Sequence, residues 1–119
     1  MTPENTAGDC IFCKIVRGEI PSDIVYQDDD VMVFPDINPA APVHLLIIPK
    51  EHIPSLADIN DSHTGIIDKM VKAAKRVARE KGVGESGYRL CINNGPEAGQ
   101  VIPHLHMHLM GGKRLGWSH

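Results

Sequence analysis

The sequence predicts an α+β domain built on a five-stranded, largely antiparallel sheet with one long and one short helix. Three observations carry that prediction. Short β-rich runs lie on both sides of a single long amphipathic stretch, so strands and helices do not alternate along the chain. The segment His104-Leu105-His106-Met107-His108-Leu109 alternates polar and apolar residues with the period of a strand. Turn-forming clusters, Asp28-Asp29-Asp30 and Asp36-Ile37-Asn38-Pro39, separate neighbouring runs by only a few residues, which suits hairpins.

Taken in order, residues 1–9 are polar and read as a flexible leader, with residues 10–119 forming one domain. Cys10 to Arg17 suits a short helix that places Ile11 and Ile15 on one side and stops at Gly18. Pro21-Ser22 then breaks the chain before two strands, Ile24 to Tyr26 and Val31 to Phe34, joined by the Asp28–Asp30 turn. A third strand runs from His44 to Ile48. Residues 61–81 carry the long helix, because Ile66, Ile67, Met70, Val71, Ala74, Val77 and Ala78 recur at three- and four-residue spacing. Asn60 or Asp61 suits its cap and Gly82 its stop. Tyr88 to Ile92 and His104 to Met110 are the last two strands, with a glycine-containing loop, Asn93 to Gln100, before the second.

Composition narrows the function. The 119 residues are 42% apolar and 23% charged, an ordinary globular balance, and the net charge is −3. A slightly acidic chain with five aromatics suits neither duplex nucleic acid, nor an anionic membrane surface, nor a base-stacking platform. No window approaches the roughly 20 apolar residues of a membrane span. The N-terminus lacks the basic and apolar regions of a signal peptide, and three cysteines make no disulfide framework, so a cytoplasmic protein is expected. The unusual residue is histidine: seven in all, three of them within five residues.

Strand geometry turns that spacing into chemistry. Side chains at i, i+2 and i+4 share one face, so His104, His106 and His108 present three imidazoles about 6.6–6.8 Å apart while Leu105, Met107 and Leu109 face the core. Two uses remain open on the residues alone. Three neutral imidazoles bind Zn²⁺ as a catalytic metal site. Alternatively, one imidazole attacks phosphorus while its neighbours hold phosphate oxygens. The loop Asn93 to Gln100 favours the second, because its glycines allow backbone N–H groups to face an anion. Cys10-x-x-Cys13 is half of a zinc site by spacing, and with Cys91 isolated, histidine has to complete it.

His104-Leu105-His106-Met107-His108-Leu109-Met110 resembles the His-φ-His-φ-His-φ-φ signature of the histidine-triad family of nucleotide hydrolases and transferases. Cys10 to Ile15 with Gly18 to Pro21, Phe34 to Pro39, and His44 to Ile53 resemble the family's opening and middle. Gly99-Gln100, Gly111-Gly112-Lys113 and Trp117 are most similar to its Hint branch of purine nucleoside phosphoramidases. The resemblance implies a homodimer with a continuous sheet, in which the tail from Leu115 to His119 reaches toward the partner's site. It also implies catalysis without a cofactor. His106 would form a covalent nucleotidyl-histidine, His108 would contact phosphate, His104 would support His106, and His44 would lie close to them. Asp36 would accept the ribose hydroxyls, and Ile37 would pack on the base. Asn93, Gly99, Gln100 and Val101 would lie on the phosphate side, Val101 standing where many Hint members carry a serine. Gln100 or a backbone N–H would then take part of that serine's role. Some members with the cysteine pair hold structural zinc, which implies Cys10, Cys13, His52 and His104 as ligands here. A dinucleoside polyphosphate hydrolase and a non-catalytic nucleotide-binding module are the competing functions.

Overall fold

A computed structural model describes Gly8 and residues 10–116; Trp117, His119 and the rest of the 1–9 leader lie outside the described residues. Helix α1 spans Ile11–Val16. Strands β1 (Tyr26–Gln27), β2 (Val31–Pro35) and β3 (Val43–Pro49) follow, then helix α2 (Ile66–Glu80), β4 (Tyr88–Ile92) and β5 (Met107–Gly111). The strands form one sheet in the order β1-β2-β3-β5-β4, and every neighbouring pair is antiparallel.

The register sorts the side chains onto two faces. Val31 and Val33 of β2, Leu45 and Ile47 of β3, and Met107 and Leu109 of β5 point to one side. There α2 covers them with Met70, Ala73, Ala74, Val77 and Ala78, positions that repeat at helical spacing. Small residues at three of those five positions let the helix lie close to the sheet. Ile47 and Leu109 are fully buried, and burial of such side chains contributes about 1.5–3 kcal/mol each. Met32, Phe34, Leu46 and Ile48 point to the other side and pack against Cys10, Phe12 and Cys13 from α1 and its cap. His44 and His108 project from this second face too, because Leu46 pairs with His108 and His44 with Met110.

Three element boundaries differ from the sequence reading. The long helix begins at Ile66, after Gly65 in a left-handed conformation (φ 73°). Asp61–His63 form a separate 3-10 turn, capped by Asn60 accepting from the Ser62 N–H, so His63 is not on the helix. Strand β1 is shifted to Tyr26–Gln27, although the Val25 N–H still donates to the Val33 carbonyl at 2.8 Å.

The third difference bears on the histidines. Strand β5 starts at Met107, so His104, Leu105 and His106 precede the ladder. Extending the register would set Pro49 opposite Leu105, and proline has no N–H to donate. The Leu105 N–H instead donates to the Ile53 carbonyl at 2.6 Å and the His104 N–H to Ile102 at 2.8 Å. Leu105 still enters the helix-covered core and both His104 and His106 still approach α1, so the two-sided alternation survives without the ladder.

Candidate active site

His106 lies 8% exposed at the floor of a cleft of about 490 Å³. Its Nδ1 is 2.7 Å from the His104 carbonyl oxygen. A carbonyl only accepts, so Nδ1 carries a proton, and in the neutral ring Nε2 is the nitrogen with the lone pair. The edge-on ring of Phe12, 5.3 Å away at 87°, holds the imidazole from the side of α1. The next imidazole, that of His108, lies 5.2 Å from it between ring centroids.

The same logic fixes His44 and His108. The Ala40 N–H donates to His44 Nδ1 at 2.9 Å, which places the His44 proton on Nε2. That Nε2–H lies 3.0 Å from His108 Nδ1 and donates to it, so His108 carries its own proton on Nε2. Asp36 Oδ2 stands 3.4 Å from His44 Nε2 and 4.0 Å from His108 Nδ1. These three residues bring donor atoms within 4.8 Å of one another, as a cation site would. The proton on His44 Nε2, however, turns an N–H rather than a lone pair toward the other two. Asp36 Oδ1 accepts from the Asn38 N–H at 2.8 Å, the turn-capping role that Asp-x-Asn-Pro allows.

Asp36, Ile37, Asn93, Gly99, Val101, His106 and His108 all line the cleft. Ile37 and Val101 are 91% and 89% exposed, two bare apolar side chains at its rim. Gln100 is placed differently. Its Oε1 accepts from the Gly95 N–H at 2.8 Å, and its Nε2 donates to the carbonyls of Pro54 (2.8 Å) and Ile102 (3.1 Å). The side chain therefore closes the loop that precedes the histidines and is committed to backbone groups.

His104 faces away from the cleft. It is fully buried, its Nε2–H donates to the Pro49 carbonyl at 2.8 Å, and its Nδ1 lone pair meets Cys10 Sγ at 3.2 Å and Cys13 Sγ at 3.5 Å. His52 Nδ1 lies 3.2 Å from Cys13 Sγ. Among the described residues no potential metal-ligand group joins His104, His106 and His108, so the three-imidazole metal site is not the one the fold builds. The donors of Cys10, Cys13, His52 and His104 instead lie within 4.8 Å of one another. Tetrahedral zinc bonds of about 2.3 Å to sulfur and 2.0 Å to nitrogen put S and N about 3.5 Å apart, close to the spacings here. The Pro49 carbonyl supplies the partner that a ligating imidazole needs on its other nitrogen. The donor set fits zinc.

Electrostatics agrees with that division. Burial pulls the His104 imidazole down to about 4, so it stays neutral, as a ligand must. Burial, reinforced by Cys10, pushes the Cys13 thiol up to about 12, so a bound cation is what stabilises it as thiolate.

Phe12 was not singled out by the sequence reading. Of the two residues between the sulfurs that meet His104, Ile11 is exposed and Phe12 turns inward onto the histidine segment, a choice that nothing in the spacing reveals.

An antiparallel sheet with His106 just before its strand β5 and His108 on that strand, both lining one cleft, defines the class of fold. Comparison with known proteins then names the family. A family model described as scavenger mRNA decapping enzyme C-terminal binding matches residues 9–116. A purine nucleoside phosphoramidase from Escherichia coli is 49% identical over 110 residues, 92% of each chain. A HIT family hydrolase from Clostridium thermocellum is 51% identical with a TM-score of 0.91, covering 95% of this chain and 98% of that one. A zinc-bound histidine triad family protein from Mycobacterium smegmatis is 31% identical with a TM-score of 0.78, covering 94% and 83%. The chain belongs to the histidine-triad family and is a hydrolase of that type.

Proposed function

We propose that the chain hydrolyses the P–N bond of purine nucleoside 5′-phosphoramidates, and the P–O anhydride bond of aminoacyl-adenylate-like substrates, with His106 as the nucleophile. One observation supports this above the rest: the 2.7 Å contact from His106 Nδ1 to the His104 carbonyl, which fixes the tautomer of the neutral ring so that Nε2 is its lone-pair nitrogen. In the first step the Nε2 lone pair attacks the α-phosphorus, the P–N bond breaks, and the amine leaves with a proton taken from water. The imidazole then bears positive charge, and its Nδ1–H bond to the carbonyl strengthens as that charge develops. Neutral His104 adds no opposing charge beside it. In the second step water attacks phosphorus and gives its proton to the hydroxide left by the first step, the P–Nε2 electron pair returns to the ring, and the nucleoside monophosphate is released.

His108 donates its Nε2–H to a phosphate oxygen, held in that tautomer by His44. Asp36 accepts the ribose hydroxyls, Ile37 packs on the base, and Asn93 and Gly99 lie along the phosphate. Gln100 shapes that loop from behind. No cofactor takes part in the chemistry; zinc, where bound, is structural. Among the described residues strand β4 is at the end of the sheet and pairs only with β5. Pairing of two such edges makes the homodimer with one continuous sheet. Among the described residues no helix is long and apolar enough to cross a membrane. A thiol-rich zinc set suits the reducing cytoplasm.

The test is turnover of adenosine 5′-phosphoramidate and of diadenosine polyphosphates by the wild type and His106→Ala. Preference for the amidate, abolished in the variant, supports the reading. Faster cleavage of the polyphosphates moves the substrate class, equal turnover by the variant removes His106, and tight AMP binding without turnover leaves a binding module.

A further inference from the structure

The zinc-binding set and the nucleophile share residue 104, and they use different parts of it. The ring of His104 turns toward the two sulfurs, whereas its backbone carbonyl receives the His106 Nδ1–H. The helix that brings the sulfurs also carries Phe12, which meets both His104 (centroids 5.8 Å apart, 74°) and His106 (5.3 Å, 87°). Two supports of the His106 ring are therefore attached to ligand residues. One is the carbonyl of His104 itself, and the other is the side chain one residue before Cys13.

We propose that occupancy of the Cys10, Cys13, His52 and His104 donor set fixes the orientation of His106, making these four residues positioning residues for the nucleophile. Helix α1 has six residues, too few to be stable without tertiary anchoring. Its anchoring is apolar contact through Phe12 and Cys13 together with the Cys10 and Cys13 sulfurs. The histidine segment in turn lies outside the β3–β5 ladder, because Pro49 offers no N–H there. Its hold comes from the Ile53 and Ile102 carbonyls, the Pro49 carbonyl on the His104 ring, and the sulfur contacts. A cation bound by four donors drawn from α1 and its cap, from residue 52 and from residue 104 ties these segments to one point. With neutral thiols in its place, the contacts of 3.2–3.5 Å are weak hydrogen bonds. Phe12 and the His104 carbonyl are then free to shift, and a misplacement near 1 Å at a reacting atom costs on the order of 100-fold in rate. Asp36, His44 and Ile37 belong to β3 and the turn before it, with no part in the clip, so nucleotide binding is left largely intact.

The kinetic consequence rests on His106 being the nucleophile; the structural one does not. The experiment compares zinc-loaded protein, protein stripped with a chelator, His52→Asn, and His52→Cys, which restores a four-donor set. Each is measured for zinc content, folding by circular dichroism, AMP affinity, kcat and KM on adenosine 5′-phosphoramidate, and the ¹⁵N imidazole signature of His106. The expected result is a folded stripped protein and a folded His52→Asn variant with kcat lower by roughly 10- to 100-fold. AMP affinity and KM change by less than about threefold, and the His106 Nδ1–H signature broadens or averages between tautomers. Zinc restores the stripped protein, and His52→Cys retains both zinc and kcat. An unchanged kcat and an unchanged His106 signature after zinc loss would overturn the proposal. So would parallel loss of kcat, AMP affinity and folded signal, or a zinc-loaded His52→Cys that stays slow. If no form turns over substrate, the hydrolase reading fails while the ¹⁵N signature still decides whether the clip positions His106.

Discussion

His44 makes two hydrogen bonds that two substitutions separate. Its Nδ1 accepts from the Ala40 N–H, and its Nε2–H donates to His108. Asparagine places an amide oxygen near the Nδ1 position and so keeps the Ala40 contact but loses the donor to His108. Glutamine reaches the Nε2 position and keeps a donor toward His108 but releases Ala40. If His108 supplies a hydrogen bond to a charged phosphoryl oxygen, its misorientation removes about 1.5–3 kcal/mol of transition-state stabilisation. At about 1.4 kcal/mol per decade, His44→Asn is expected to lower kcat roughly 10- to 100-fold. Its thermal midpoint stays close to wild type. Because Ala40 is exposed, water replaces part of the bond lost in His44→Gln. The cost there is about 1 kcal/mol, or about 4 °C in a domain of this size. Its kcat falls less than that of the asparagine variant. Single-turnover kinetics on a phosphoramidate and thermal denaturation of the same samples check both expectations. The opposite pattern, a fast asparagine variant and a slow glutamine variant, would refute the tautomer assignment.

Three further expectations follow from individual side chains. In zinc-free protein, His104 titrates near 4 when folded and near 6.5 when unfolded, so the unfolded state binds the extra proton between those values. Stability is complete above about pH 6.5 and declines by about 3 kcal/mol as pH falls to 4; denaturant titrations across that window check it, and a flat profile contradicts the buried neutral imidazole. Asp36→Asn keeps an oxygen for the Asn38 N–H yet removes the carboxylate, so stability changes by less than about 1 kcal/mol while KM rises about tenfold. The variant should also discriminate less between ribose and 2′-deoxyribose substrates, read from the ratio of kcat/KM values. Val101→Ser puts a hydroxyl on an exposed rim position, which is expected to speed amidates with basic alkylamine leaving groups more than those with arylamines. Equal acceleration, or none, would detach residue 101 from leaving-group protonation.

The parts of the fold that depend on periodicity were legible in the sequence. Alternation from His104 to Leu109 correctly separated the core-facing leucines from the imidazoles, and three- and four-residue spacing placed Met70, Ala74, Val77 and Ala78 against the sheet. What was not legible depends on partners distant in sequence. Only the register shows that the β3–β5 ladder stops at Ile47 and Met107, short of Pro49, and only the contacts of the His104 ring divide the histidines between cleft and zinc set. Glutamine 100 looked like a phosphate-side residue beside a glycine; its side chain is bound by Gly95, Pro54 and Ile102, none of which signals that role locally. The helix start was misplaced because Asp61–His63 satisfy cap chemistry of their own before Gly65 redirects the chain. Phe12 was hidden for a related reason: its importance arises from the sulfurs on either side meeting a residue more than ninety positions away.

The central claim is that His106 Nε2 forms a covalent bond to phosphorus. The direct measurement is rapid mixing with adenosine 5′-phosphoramidate, an alkaline quench that preserves the P–N bond to histidine, and peptide mass spectrometry. The account predicts an adenylyl group on His106, formed and lost at rates compatible with turnover and absent in His106→Ala. An adduct on another residue, or turnover through a protein that never carries one, would contradict it.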